Sequence, residues 1–133
     1  MEKALRIIPI FLIMLFFSLP AAAEEEKEPV KISYVEMKPS IVTNLNGGPK
    51  YIRCDIQLMT KYASKVETIQ LHMPALRHAI LMLLSGEDGK ALTTPEGKEA
   101  LRKKALETVR KTLEELTDEP MVKDLYFTAY YVK

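Results

Sequence analysis

The chain has 133 residues, 19 of them Lys or Arg and 18 Asp or Glu, which leaves a formal net charge of +1. This length is typical of one domain, and a balanced charge without a basic stripe argues against a nucleic acid as a partner. The histidines, His72 and His78, are six positions apart, whereas helical metal pairs are spaced three or four apart. Neither a metal site nor a cofactor is therefore expected.

The first 23 residues are predicted to direct export. Lys3 and Arg6 precede an apolar run of 13 residues, Ile7–Leu19, which is followed by Ala21-Ala22-Ala23 and then Glu24. A basic start, an apolar run and an Ala-x-Ala site are typical of a secretory signal peptide. Cleavage is expected with Ala21 and Ala23 before the cut bond and Glu24 after it.

The same segment could instead remain as a membrane anchor, because Ile7–Ala23 is close to the shortest length that spans a bilayer. In both cases the basic end stays in the cytoplasm and the chain from Glu24 onward is exported. The sequence therefore divides into a signal peptide or anchor at 1–23, a charged spacer at 24–29 and an exported domain at 30–133.

Extended segments are predicted in the first half of the domain. Val30–Lys38 alternates in polarity and ends at Pro39, and Ile41–Leu45 forms a second short strand. Asn44–Pro49 is rich in Asn, Gly and Pro, which predicts a hairpin turn. Lys50–Thr60 is the clearest strand, with one apolar face that belongs to a sheet covered on one side only. That face contains Ile52, Cys54, Ile56 and Leu58.

Amphipathic helices are predicted next. Ser64–Ser85 has apolar residues at spacings of three and four, and Pro74 inside it indicates either two helices or one kinked helix. A second helix over Pro95–Leu116 can be capped by Thr93 or Thr94. Its predicted apolar stripe consists of Leu101, Ala105, Val109, Leu113 and Leu116.

A last strand is predicted over Met121–Val132. Alternation places Leu125 with Tyr131 on one face and Tyr126 with Tyr130 on the other. Because both faces are rich in aromatic and β-branched residues, we expect this strand inside the sheet, with a neighbour on each edge. The order β-β-β-α-α-β predicts an α+β fold, a small antiparallel sheet covered on one face by two amphipathic helices.

Candidate contact residues lie on the last helix and the last strand. Arg102, Lys103 and Arg110 give the helix a charged back, which is either solvated and laced with ion pairs or a head-to-tail contact between subunits. Tyr126 and Tyr130 are either core and exposed surface or part of an interface. No G-x-S-x-G or phosphate-binding loop is present, so no catalytic residue is assigned.

Five segments, in this order, resemble the FliL family of flagellar basal body-associated proteins. They are IVTNL near Ile41, KYIRCDIQLM, MPALRHAILMLLSG, TTPEGKEALRKKAL and VKDLYFTAYYV, spread from about Tyr34 to Val132. The resemblance implies an SPFH (stomatin-like) fold and a non-enzymatic role. It also implies a periplasmic homo-oligomeric ring around the flagellar stator proteins, supporting motility, torque, swarming or motor switching.

This sequence departs from the family pattern at the N-terminus, where only six residues precede the apolar run. The resemblance is therefore compatible with two forms: a protein anchored in the inner membrane, and a periplasmic FliL-like paralogue freed by signal cleavage. An alternative from another class is a monomeric exported binding module, unrelated to flagella, that holds a small ligand or peptide between sheet and helices.

Overall fold

A computed structural model describes residues 27–133 of the chain. The predicted signal peptide or anchor at 1–23, with Ala21, Ala23 and Glu24, lies outside the described residues. Within 27–133 the elements are β1 (Ser33–Asn44), β2 (Tyr51–Thr60), α1 (Val66–Leu71), α2 (Met73–Ser85), α3 (Pro95–Thr117) and β3 (Asp124–Val132). The strands form an antiparallel sheet in the order β1-β2-β3. The predicted α+β class and its order of strands and helices are confirmed.

The two strands predicted at the start of the domain are two parts of β1. The strand continues through Pro39, but its pairing with β2 jumps from Met37–Ile56 to Ile41–Cys54. The three residues Lys38–Ser40 of β1 therefore lie opposite the single residue Asp55 of β2. This mismatch is a β-bulge in β1. An edge strand accommodates a proline at such a bulge because the missing N–H donor is not needed for pairing.

The last strand, β3, lies at an edge of the sheet, so the prediction of two neighbours is wrong. Its pairing with β2 also jumps, from Asp55–Ala129 to Ile56–Phe127, which leaves Thr128 as an extra residue. The extra residue reverses the alternation. As a result Tyr130 joins Leu125 on the face that pairs with the buried side of β2, and Tyr131 joins the opposite face.

The helices follow the predicted pattern closely. α1 ends at Leu71 and Pro74 lies in the first turn of α2, which selects the two-helix alternative. The Thr94 hydroxyl caps α3 by accepting a hydrogen bond from the Gly97 N–H at 3.0 Å. Leu116 is 49% exposed, so the buried stripe of α3 stops at Leu113. The chain reverses just beyond, at Asp118, where a φ of 65° ends the helix.

Apolar side chains from the sheet and all three helices fill the space between the two layers in the described part of the chain. Cys54 is buried in this core, as predicted, and burial raises the pKa of its thiol to about 12. In the region that the structure describes, no helix combines the length and hydropathy needed to cross a bilayer. The largest buried side chains are Met37, Ile41, Ile52, Ile56, Leu58, Ile69, Leu76, Ile80, Leu84, Leu101, Leu113 and Leu125.

Candidate interaction surfaces

Arg102, a candidate for either a solvated ion-paired surface or a subunit contact, ties α3 to β3 within the domain. Its guanidinium donates to both carboxylate oxygens of Glu99, at 2.7 and 2.8 Å, and to Asp124 Oδ1 at 2.6 Å. It also donates to the Leu125 carbonyl at 3.2 Å. The hydrogen bond to Glu99 raises the pKa of Arg102 and lowers the pKa of Glu99. A side chain with its donors occupied in this way is a poor anchor for a partner.

The other two basic residues predicted on this helix have different environments. The Arg110 guanidinium donates to the Val122 carbonyl, so it holds the segment before β3 against α3. Lys103 is exposed and lines a shallow groove of about 400 Å³ along the outward side of α3, together with Leu106, Glu107 and Lys111. Of the three, Lys103 is the one that is exposed, whereas Arg102 and Arg110 are partly buried.

The two predicted tyrosines lie on opposite faces of the sheet because of the bulge in β3. The Tyr130 hydroxyl donates to the Leu92 carbonyl at 2.8 Å, and its ring centroid is 5.2 Å from that of Phe127. Burial raises the pKa of Tyr130 to about 12. Tyr126 faces away from the helices, is 37% exposed and lies 6.5 Å from the ring of Tyr34. Tyr126 is therefore the tyrosine of the pair that a partner can reach.

The sheet face that points away from the helices is aromatic and uncovered by any described element. Tyr34 and Val42 on β1 are each 55% exposed, and Tyr131 on β3 is 52% exposed. The Tyr51 and Tyr131 rings are 6.3 Å apart. We call this surface, formed by Tyr34, Val42, Tyr51, Tyr126 and Tyr131, the outer sheet face. The same face also carries charged side chains, among them Glu36 and Arg53, and exposed tyrosines in such mixed surroundings are typical of protein interfaces.

A groove of about 600 Å³ crosses the outer sheet face where the bulges of β1 and β3 flank Asp55. The Arg77 guanidinium on α2 donates to the Pro39 carbonyl and so holds the β1 bulge. Pro39 is the one sign of this groove in the sequence, where it predicts the end of a strand. Residues that line the groove are Glu36, Met37, Lys38, Pro39, Ser40, Asp55, Ile56 and Thr128.

A second apolar surface lies on the outward side of α1 and α2. Leu71 is 73% exposed and Met82 is 61% exposed, and Pro74 and His78 are exposed between them at helical spacing. We call these four residues the α2 outer stripe. Arg77 is the one charged residue among the 13 of α2, whereas α3 is charged over most of its outward surface. A helix whose outward side carries so little charge is normally covered, and this low charge is the signal in the sequence that points to the surface.

These surfaces consist of exposed side chains that another macromolecule can contact. Within residues 27–133, no group of three or more His, Cys, Asp or Glu side chains could hold a metal ion. The buried Cys54 thiol stays protonated at neutral pH because its pKa is raised. His72 lies just before α2 and His78 lies on it. Neither belongs to a metal-binding group among the described residues.

Comparison with known proteins gives two matches. The family model described as flagellar basal body-associated protein FliL matches residues 34–132. The flagellar protein FliL of Aquifex aeolicus (strain VF5) is 28% identical over 101 residues, which cover 74% of this chain and 60% of that relative. The chain thus aligns with about 60% of the length of this relative. The matched region runs from Tyr34 to Val132 and contains both apolar surfaces.

Proposed function

The chain belongs to the FliL family of flagellar basal body-associated proteins, and on that premise we propose that it is a non-enzymatic assembly protein that forms a periplasmic ring around stator units. In that position it supports flagellum-dependent motility by contributing to torque, swarming or motor switching. Its partners are further copies of the same chain and the flagellar stator proteins.

The observation that carries this proposal is the presence of exposed large apolar side chains on both outer sides of one sandwich. The outer sheet face and the α2 outer stripe point in opposite directions, because the sheet and the helices bury their other sides against each other. Contact between two different surfaces of identical subunits is head-to-tail, and such contacts close into rings when the rotation permits. Exposed tyrosines and methionines are also the side chains that interfaces favour.

The alternative, a monomeric module that binds a ligand between sheet and helices, has less support. The side chains between the two layers are nearly all under 4% exposed, so the described interior is filled. The groove at Asp55 lies instead on the outer sheet face. There it is placed for a protruding side chain of a partner protein, such as a lysine or arginine that meets the Asp55 carboxylate.

We further propose that residues 1–23 direct export and that residues 30–133 form the periplasmic domain. The predicted cleavage between Ala23 and Glu24 yields a free periplasmic protein, whereas an uncleaved segment yields an inner-membrane protein. Mass spectrometry of the protein isolated from its cells distinguishes the two forms. The mass of a chain that starts at Glu24 identifies the free form, and the mass of a chain with its N-terminus intact identifies the anchored one.

The ring proposal is tested with the chain purified in its exported form. Met82→Glu in the α2 outer stripe and Tyr131→Glu on the outer sheet face should each convert the assembly to monomers in sedimentation analysis. Both should also reduce swimming in viscous medium. Lys103→Gln, which lowers the charge by the same single unit on the outward side of α3, should leave assembly intact. A wild-type chain that stays monomeric at high concentration, together with a deletion strain of unchanged motility, would disprove the proposal.

A further inference from the structure

Basic side chains cluster at the end of the domain where the chain enters the sheet. The Lys31 N–H donates to the Lys61 carbonyl at 2.8 Å, which places the entering segment beside the end of β2. A hollow of about 250 Å³ opens next to it, lined by apolar groups and by Lys61, Lys65, Arg110 and Lys123. We call these four residues and Lys31 the basic pole.

The basic pole keeps most of its positive charge after internal pairing is considered. Lys65 forms an ion pair with Glu119 at 2.7 Å, and Glu119 is the acidic residue among those that line the hollow. Arg110 is bound by the neutral Val122 carbonyl, so its charge is not cancelled there. Lys31, Lys61 and Lys123 are exposed. A chain of nearly balanced total charge thus carries a local positive surface.

Apolar side chains stand beside these charges. Val30 is 65% exposed and Ile32 is 55% exposed in the entering segment. Tyr62 and the apolar hydrocarbon of Met121 line the hollow itself. Lysines beside exposed aliphatic and aromatic groups are the combination that binds the boundary of an anionic bilayer, where charge meets headgroups and apolar groups meet acyl chains.

We propose that the basic pole rests on a bilayer surface rich in anionic phospholipid headgroups, with Val30 and Ile32 at the lipid boundary. Charge complementarity supports this occupant, and so does the position of the pole at the chain entry. Eleven residues separate the end of the apolar run, Leu19, from Lys31, a reach of at most about 40 Å when extended. An anchored chain therefore keeps this pole within reach of the membrane, and a cleaved chain is held to the same surface by the pole alone.

The competing occupant is the acidic run Glu24–Glu26, which precedes the basic pole in the sequence. If this run neutralises the pole, the membrane contact is lost. Glutamine substitutions in the run separate the two occupants. If the membrane occupies the pole, the membrane contact exists before the substitutions. If the acidic run occupies it, the membrane contact forms only after them.

The test uses the full chain, which contains no tryptophan, so Tyr62→Trp introduces a single tryptophan at the hollow, and its indole fluorescence is the signal. The protein is reconstituted in vesicles with brominated lipids, either wholly zwitterionic or containing phosphatidylglycerol. We expect quenching of the introduced indole in the anionic vesicles and little in the zwitterionic ones. Adding Lys61→Glu and Lys123→Glu should lower the equilibrium constant for docking of the pole on the bilayer by at least about 25-fold, since the loss of each basic residue near such a surface costs about fivefold and the new carboxylates are repelled.

Two controls accompany this measurement. The same fluorophore placed by Tyr131→Trp, at the opposite end of the sheet, should remain unquenched. Lys103→Glu with Lys111→Glu, an equal charge change on α3, should leave the quenching by anionic vesicles unchanged. The urea unfolding midpoint of each variant, compared with that of Tyr62→Trp alone, shows that the fold is retained.

Three results would overturn the proposal. The first is equal quenching in zwitterionic and anionic vesicles, and the second is quenching that survives the Lys61 and Lys123 reversals. The third is quenching that is absent with the unaltered run and appears only after Glu24, Glu25 and Glu26 are changed to Gln. That result would assign the pole to the acidic run. None of these readouts depends on ring formation, so the proposal stands or falls separately from the proposed function.

Discussion

Arg102 of α3 and Asp124 at the start of β3 form an ion pair with 2.6 Å between the guanidinium nitrogen and the carboxylate oxygen. The pair joins two residues that are 22 positions apart in the chain. Because the same guanidinium also holds Glu99 and the Leu125 carbonyl, it fixes the edge strand against the helix layer.

Arg102→Ala should therefore destabilise the domain by about 1–2 kcal/mol, because it removes charge-assisted hydrogen bonds from a largely covered side chain. Arg102→Lys should restore only part of the loss, since an ammonium group cannot bind Glu99 through two parallel bonds. Urea unfolding provides the measurement, with Lys103→Ala as the neighbouring control. Equal stability of the Arg102 and Lys103 variants would show that the tie is not energetically important.

Gly97 is expected to resist substitution although it lies inside a helix. Alanine is intrinsically better than glycine in a helix by about 1 kcal/mol. A Cβ at position 97, however, would lie 1.8 Å from the Ala91 carbonyl oxygen. Gly97→Ala should accordingly cost at least about 1 kcal/mol net, measured by urea unfolding. Gly48→Ala, where a Cβ meets nothing within 4 Å, should change stability by no more than about 0.5 kcal/mol. A stabilised Gly97 variant would contradict the steric argument.

Thr60 is a buried polar residue whose hydroxyl donates to the Met121 carbonyl at 2.9 Å. Met121 has a φ of 52°, a left-handed conformation that is unfavourable for a long side chain, and this hydrogen bond helps to hold it. Thr60→Val should cost about 1–3 kcal/mol because the Met121 carbonyl loses its partner inside the protein. Thr112→Val, which removes a hydroxyl bonded to a carbonyl of its own helix, is the control. Similar losses for both variants would argue against a special role of Thr60.

Stability should decline at alkaline pH. Burial raises the pKa of Cys54 from 9.0 to about 12, and that of Tyr130 from 10.0 to about 12. Both groups are almost entirely neutral in the folded and unfolded states below about pH 8. Between pH 9 and 12 the unfolded chain ionises first, so the free energy of unfolding falls as pH rises. Cys54→Ala and Tyr130→Phe should each reduce this slope, as measured by denaturant unfolding across that range.

Unchanged slopes in these two variants would show that other groups cause the alkaline loss. The slope is the informative quantity because both substitutions also alter packing, and Tyr130→Phe removes the hydrogen bond to Leu92. Those losses lower stability equally at every pH, so they do not affect the comparison.

The sequence by itself determined the elements, the buried face of β2, the inward stripe of α3 and the family. These features are local or periodic: alternation places Ile52, Cys54 and Ile56 on one face, and Thr94 caps the helix that follows it. Side-chain periodicity follows from backbone geometry, so it can be seen without knowing the neighbours. The resemblance found in the five segments agrees with the family match over residues 34–132.

Only the tertiary structure decided which strand lies at the edge, which way the residues of β3 point and which charges are free to meet a partner. One extra residue, Thr128, reverses the alternation and sends Tyr130 inward and Tyr131 outward. Arg102 and Arg110 are indistinguishable from Lys103 in the sequence, yet they are bound within the domain. Strand order, bulges and long-range pairs depend on residues far apart in the chain, and local periodicity contains no information about them.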